Sequence, residues 1–456
     1  MDCQSNRMKQ KLLLLGQLAG IVMLLAGCAG ESNFPTAKGS ATFRVINAIP
    51  TSPTVAMLIE ERTIGTAEYK GSSSQSEFDD LKYTFNFEAF LPGQVARSRL
   101  ASVPVDTQRD QAYTFLVSGD LATPTITLWQ APLREWQATE TVFEVRFAHG
   151  AESLGPVDVY FQAPGVAPVL GDQIANVQLT AISPAVELPA GDYVLIITSP
   201  DDPADVLFTS KTLTPPAAAG YVFTFFDADA NEVDPIAVRQ FGDNGGALRV
   251  VDVNSTPTVR FFHATPNLET SDVYTDEMLT EQILANHAYR DVSADLPLAA
   301  SPYTLTYTMA GNVGSILLED DISVIEGIHF EYYVVGEMGA LGGFLLQPDR
   351  RPVETLAKFT FLHTATNHDA VDLYILPAGS DIATSFPRFV NLTIGSPPVT
   401  ESLQQGDFEM YLTTAGQKTV IAGPIAFSPV LGDILNYISY DNVDPAIADV
   451  VLIPLP

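Results

Sequence analysis

Val259-Arg260-Phe261-Phe262-His263-Ala264 reads as a β-strand ending on a histidine, and the chain carries four versions of it. The others are Phe43-Arg44-Val45-Ile46-Asn47-Ala48, Val145-Arg146-Phe147-Ala148-His149-Gly150 and Phe359-Thr360-Phe361-Leu362-His363-Thr364. A second strand follows each: Val157-Asp158-Val159-Tyr160, Ser271-Asp272-Val273-Tyr274, Val371-Asp372-Leu373-Tyr374, and the divergent Val55-Ala56-Met57-Leu58. A mid-copy strand repeats as Tyr193, Leu195 and Ile197, then Tyr303, Leu305 and Tyr307, then Phe408, Met410 and Leu412, with Tyr83, Phe85 and Phe87 in the first copy. Residues two apart share one face of a strand, so each set points at one core. A late strand closes each copy, as in Tyr221-Val222-Phe223-Thr224-Phe225.

The period is 114 residues from Asp158 to Asp272 and 100 from Asp272 to Asp372. Solenoid repeats are shorter, about 20–50 residues. About 100 residues with about seven short strands is the size of an immunoglobulin-like sandwich. With 32 prolines, 31 glycines and no sustained helical periodicity, the chain reads as all-β. The expected organisation is four tandem immunoglobulin-like β-sandwiches, 41–134 (divergent), 141–241, 258–349 and 358–456, after a signal peptide at 1–27 and a tether at 28–40. Each copy holds its own opening, core and closing strands, so the copies are expected to fold as separate beads. The 242–257 linker, with its glycines, is expected to be the flexible hinge between two pairs.

The stretch Val259-Arg260-Phe261-Phe262-His263-Ala264-Thr265-Pro266, the Val157-Asp158-Val159-Tyr160 strand and Leu188-Pro189-Ala190-Gly191-Asp192-Tyr193 resemble the bacterial family called domain of unknown function 4397. The resemblance covers copies two to four closely and copy one weakly. It implies an exported protein with tandem domains, and it implies no activity.

Export is also written at the N-terminus. Lys9 and Lys11 precede a run, Leu12 to Leu25, that is apolar apart from Gln17. A basic start, an apolar stretch and small residues before a cut are the secretory pattern. The run is too short for a membrane-spanning helix, which needs about 20 residues. Leu25-Ala26-Gly27-Cys28 resembles a lipobox, whose cysteine becomes the lipidated first residue. Each buried acyl CH₂ contributes about 0.8 kcal/mol, so the several chains of such a lipid hold a protein on its membrane. Ala29, where an Asp would signal inner-membrane retention, favours the outer membrane. Cys3 and Cys28 are the only cysteines, so the mature protein is expected to lack disulfides and to rely on full-size cores.

The net charge is −31, spread along the chain, which excludes nucleic acid and anionic headgroups as natural partners. Envelope proteins or glycans remain. The acidity reads as solubility, or as loops for a divalent cation.

Three sets of side chains invite a chemical reading. His149, His263 and His363 are equivalent, as are Asp158, Asp272 and Asp372, and the first copy has Asn47 and Ala56 instead. Joint loss suggests structural His–Asp pairs across neighbouring strands. A carboxylate that fixes an imidazole also serves metal binding or catalysis, but no nucleophile recurs beside them. Asp227, Asp229, Asn231 and Asp234 alternate as Ca²⁺ ligands do. The EF-hand positions for Gly and Glu hold Glu232 and Val238, and Asp and Asn equally favour turns. No catalytic residues and no confident metal ligands emerge. The expectation is a lipid-anchored envelope protein with a structural, adhesive or ligand-presenting role and no catalysis. The alternative is an envelope hydrolase or a carbohydrate-binding accessory protein.

Overall fold

The computed structural model describes residues 36–242 and 246–455. Among these residues the secondary structure is strand, with no helix. The strands form eight sheets, and every sheet belongs to one of four successive units.

Unit 1 sets the pattern. Its strands, in chain order 1 to 8, are Ser40–Asn47, Val55–Ile59, Arg62–Ala67, Ser76–Asp79, Lys82–Phe90, Arg97–Asp106, Gln111–Asp120 and Thr123–Pro132. Strands 4-1-7-8 form one sheet and 3-2-5-6 the other. Units 2, 3 and 4, opening at Val142–His149, Thr258–Ala264 and Ala357–His363, repeat both orders, and unit 2 adds a ninth strand, Ala247–Val250. Every repeated strand read from the sequence takes the expected place, as strand 1, 2, 5 or 7.

Each unit buries one core between its two sheets. In unit 1, Phe43 and Phe115 from one sheet meet Met57, Phe85 and Phe87 from the other, and all are fully buried. Units 2 to 4 have equivalent clusters around Phe147 and Phe223, Phe261 and Tyr332, and Phe359 and Met410. Burying such a ring stabilises by roughly 1.5–3 kcal/mol, which is why these positions hold aromatic residues.

The strand order corrects the immunoglobulin-like expectation. That fold sets strands ABED against CFG. Here strand 7 returns parallel to strand 1, as in Phe261↔Tyr332 and Phe359↔Leu435. Strand 1 thereby lies inside its sheet, between strands 4 and 7, and the eighth strand extends that sheet.

The bead expectation is also corrected. Ile46, Leu116 and Trp129 of unit 1 share a buried cluster with Ala148, Phe226 and Phe241 of unit 2. Phe262, Tyr333 and Val335 of unit 3 share another with Leu362, Ile438 and Tyr440 of unit 4. The 4-1-7-8 sheets of units 1 and 2 therefore face each other, as do those of units 3 and 4. The C-terminal part of strand 1 is buried on both faces, so it is apolar at both parities, as in Val45-Ile46, Phe261-Phe262 and Phe361-Leu362. Gly150 marks the tightest approach: a Cβ there would stand 3.0 Å from the Ala48 Cβ.

Part of the expected hinge, residues 247–250, is a strand, and residues 243–245 lie outside the described residues. Ala247–Val250 pairs antiparallel with strand 8 of unit 2, Phe241 facing Ala247 and Val238 facing Val250. Arg249 then donates to the carbonyls of Glu326 and Gly327 in unit 3, both at 2.8 Å. An otherwise open sheet edge and a half-buried guanidinium hold residues 247–250 in place. Cys28 and the leader lie outside the described residues.

Candidate functional site: the faces between paired units

The histidines close strand 1 of three units. His149 donates from Nε2 to the Gly155 carbonyl at 2.9 Å, and its Nδ1 accepts from the Ala151 amide at 3.2 Å. His363 donates from Nε2 to the His368 carbonyl at 2.7 Å, with Nδ1 on the Ser439 hydroxyl at 2.8 Å. The Nδ1 of His263 accepts from the Thr265 amide at 3.4 Å, and its ring lies edge-on to that of His287, centroids 5.6 Å apart. Burial pushes all three imidazoles below their ordinary pKa, His263 down to about 4 with His287 adding to the effect. These are neutral rings that tie off a loop. In unit 1, Asn47 does the same work: its amide donates to Ser52 and its oxygen accepts from the Ile49 amide at 3.1 Å.

The aspartates lie in the opposite sheet, on strand 2, so the expected His–Asp pairs do not exist. The chain crosses between sheets from strand 1 to strand 2, which sends the two side chains to different neighbours. Asp272 accepts from the amides of Asn286 and Gly311, both at 2.8 Å. Asp372 accepts from those of Asn391 and Gly416, also at 2.8 Å. Asp158 accepts from the Asn176 side chain and the Asp201 amide. Asp201, Gly311 and Gly416 occupy the turn between strands 5 and 6, with φ of 59°, 70° and 70°. Each buried carboxylate thus clamps a left-handed turn onto its sheet. Unit 1 bridges strands 5 and 6 with a longer loop, residues 91–96, and has Ala56 in place of the clamp. Loss of histidine and loss of aspartate in that copy have separate causes.

The acidic run of unit 2 does not converge on one point. Asp227 accepts from the amides of Glu152 and Ser153 at 2.9 and 3.0 Å. Asp229 pairs with Lys70 of unit 1 at 3.1 Å, and Asp234 faces Arg249 at 3.7 Å. Asn231 accepts from the Arg350 amide and donates to Asp349 at 3.1 Å. Among the described residues no group of three or more histidine, cysteine, aspartate or glutamate side chains is arranged to hold a metal ion. The run is instead a junction. Glu232 bridges Lys70, Arg239 and Arg249; burial pushes its pKa up, but these cations outweigh that and hold it below the ordinary value. Arg351, from the segment joining units 3 and 4, donates to the carbonyls of Pro50 and Ser52 at 3.0 and 2.9 Å. The two pairs therefore meet across bonds that sequence spacing could not foretell.

Two clefts open where the paired sheets diverge. In the first pair the cleft is about 190 Å³ and is lined by Thr114, Glu144, Arg146 and Val222, with Arg134 and Trp136 inside it. In the second pair it is about 700 Å³, with Glu331, Lys358, Thr360 and Asn436 at the equivalent positions. Nothing in the sequence reading marked these walls, because their residues come from four strands of two units. The one available signal was the apolar residue at even positions of strand 1, such as Phe262 and Leu362.

The family model for the domain of unknown function DUF4397 matches residues 41–160 and 257–374, together more than half of the chain. The chain belongs to this family. Each DUF4397 match covers the first unit of a pair and the opening two strands of the second, so the family register repeats with the pair. The resemblance is expected across copies two to four; the matches instead span copies one and three and reach only the openings of copies two and four. No curated protein matches the chain. Among solved structures, the Bacillus anthracis TIE protein aligns over 90% of this chain and 76% of its own at 10% identity. Its TM-score of 0.15 is too low to bear on fold or role.

Proposed function

We propose that this DUF4397 protein is a lipid-anchored component of the bacterial cell envelope, held on the outer membrane through Cys28. It presents two packed sandwich pairs beyond the bilayer in a structural, adhesive or ligand-presenting role, without catalysis. The observation that supports this reading is how the repeated polar residues are used. His149 and His363 and Asp158, Asp272 and Asp372 are consumed in loop and turn bonds, and His263 ties its loop through Nδ1 alone, its buried Nε2 having no partner among the described residues. Function then falls to the surfaces and clefts that the units make together.

Fractionation of cells expressing the full chain and Cys28→Ser tests the anchor. The natural chain is expected in the membrane fraction and the variant in the soluble fraction or as uncleaved precursor. A cleaved Cys28→Ser chain that stays on the membrane would overturn the reading.

A further inference from the structure

We propose that the cleft between units 3 and 4 binds a neutral, flat aromatic or heteroaromatic molecule with a hydrogen-bonding edge. The first pair shows what the equivalent space takes. There the segment after strand 8 lays Trp136 into the cleft, with the Arg134 guanidinium 3.8 Å over its ring. Arg134 is anchored to Glu140 at 2.5 Å and to Glu187, with Glu144 3.9 Å away. The first pair thus narrows its own cleft with an indole.

The second pair has no such plug. Its connecting segment lines the cleft with Gln347, Pro348 and Asp349 but brings no aromatic ring: Arg350 goes to Asp295 at 2.9 Å, with Glu331 3.7 Å away, and Arg351 goes to the carbonyls of unit 1. The acids that steady Arg134 are also replaced. By strand register, Lys358 stands where Glu144 does, and Ser402 where Glu187 does. The resulting cavity of about 700 Å³ falls within the usual range of ligand sites, about 300–1,000 Å³.

Its walls select the chemistry. The floor is apolar, made by Leu346, Leu362 and Ile438 beside Tyr333. The rim carries Thr360, Thr400, Ser402 and Asn436, whose side chains have no hydrogen-bond partner among the described residues. The rim's charges are already matched. Lys358 pairs with Asp349, Arg388 holds Glu401 at 2.5 and 2.7 Å, and Glu331 faces Arg350 at 3.7 Å while accepting from the Tyr333 hydroxyl at 2.7 Å. A charged guest would have to break one of these pairs, so the guest is neutral. The Tyr333 ring stacks on Phe262 and Phe344, at 4.2 and 5.3 Å. It is already engaged by the protein, which disfavours a sugar ring that needs an open aromatic face.

Titration of the chain from residue 29 onward with N-phenyl-1-naphthylamine, a neutral fluorescent aromatic amine, tests this. Saturable binding at one site per chain is expected. Thr360→Trp and Asn436→Trp, each folded by circular dichroism, should weaken it by about tenfold or more, roughly 1.4 kcal/mol. Trp136→Ala should open the first cleft and raise the stoichiometry to two. Absent saturation, or affinity unchanged in both tryptophan variants, overturns the site. A stoichiometry that stays at one in Trp136→Ala overturns the equivalence of the clefts. Tighter binding of the sulfonated analogue, or displacement of the probe by maltose, overturns the neutral aromatic assignment. The anchor reading rests on Cys28 and survives any of these failures.

Discussion

Arg44 and Arg260 hold the same place in two different pairs. Each sits on strand 1 of a first unit, and each reaches across to the end of strand 8 of the partner unit. Arg44 donates from Nη1 to the Gly242 carbonyl at 3.2 Å, and Arg260 to the Pro454 carbonyl at 3.0 Å. The pairs are therefore built to one plan, with a buried guanidinium tying the end of strand 8 of the second unit to the middle of the first.

Replacing that tie should loosen a pair without unfolding either sandwich core. Arg260→Met keeps the apolar stem and removes the charged donor. A hydrogen bond to a charged group is worth about 2 kcal/mol, and the second pair should lose about that much in urea unfolding. Arg44→Met should do the same to the first pair, and the two losses should add. Unchanged midpoints would show that the tie carries no weight.

Acid should weaken the third unit through His263. Its pKa is about 4 in the fold against 6.5 for an ordinary histidine, so the unfolded chain binds the extra proton across that window. Stability is therefore complete above pH 6.5 and declines as pH falls toward 4, by about 2 kcal/mol at pH 5. His263→Asn adopts the solution of Asn47 in unit 1 and cannot titrate. It should fold at neutral pH and lose most of this acid sensitivity, read as the pH dependence of Tm. An equally steep profile in the variant would remove His263 as the cause.

The aspartate clamps give a local prediction. Asp272→Ala leaves the Gly311 and Asn286 amides without their acceptor, at a cost of about 1–3 kcal/mol. Amide exchange should quicken at Gly311 in the turn between strands 5 and 6 before it quickens in strand 1. Uniform acceleration across unit 3 would mean that the clamp is not local.

The pair, rather than the single unit, should be the smallest well-behaved piece. A fragment of residues 357–455 would expose Leu362, Ile438 and Tyr440, which the pair buries. It should self-associate in sedimentation, whereas residues 257–455 should be monomeric. In the intact chain Phe262→Ala should cost about 3–5 kcal/mol, as for a core phenylalanine. A monomeric, stable unit 4 on its own would refute the shared core.

The repeated strands were legible because alternation and turn residues act locally. Phe43, Phe147, Phe261 and Phe361 announce a core face whatever lies beyond it. Four all-β units, their family and the core strands could be read from the chain alone. Local pattern could not say which sheet a strand joins. Strand 7 returns parallel beside strand 1, and this pairing of residues about 70 apart separates each histidine from its aspartate. Nor could it say that Phe262 and Leu362 face each other, since an apolar residue at an even position is silent about its partner. The glycine-bearing linker reads as a hinge until strand 8 of unit 2 offers Ala247–Val250 a free edge. Asp229 and Asp234 read as calcium ligands until Lys70 and Arg249 arrive from other parts of the chain. Only the tertiary structure decided these, because charge pairing, sheet edges and the inter-unit clefts depend on which surfaces meet.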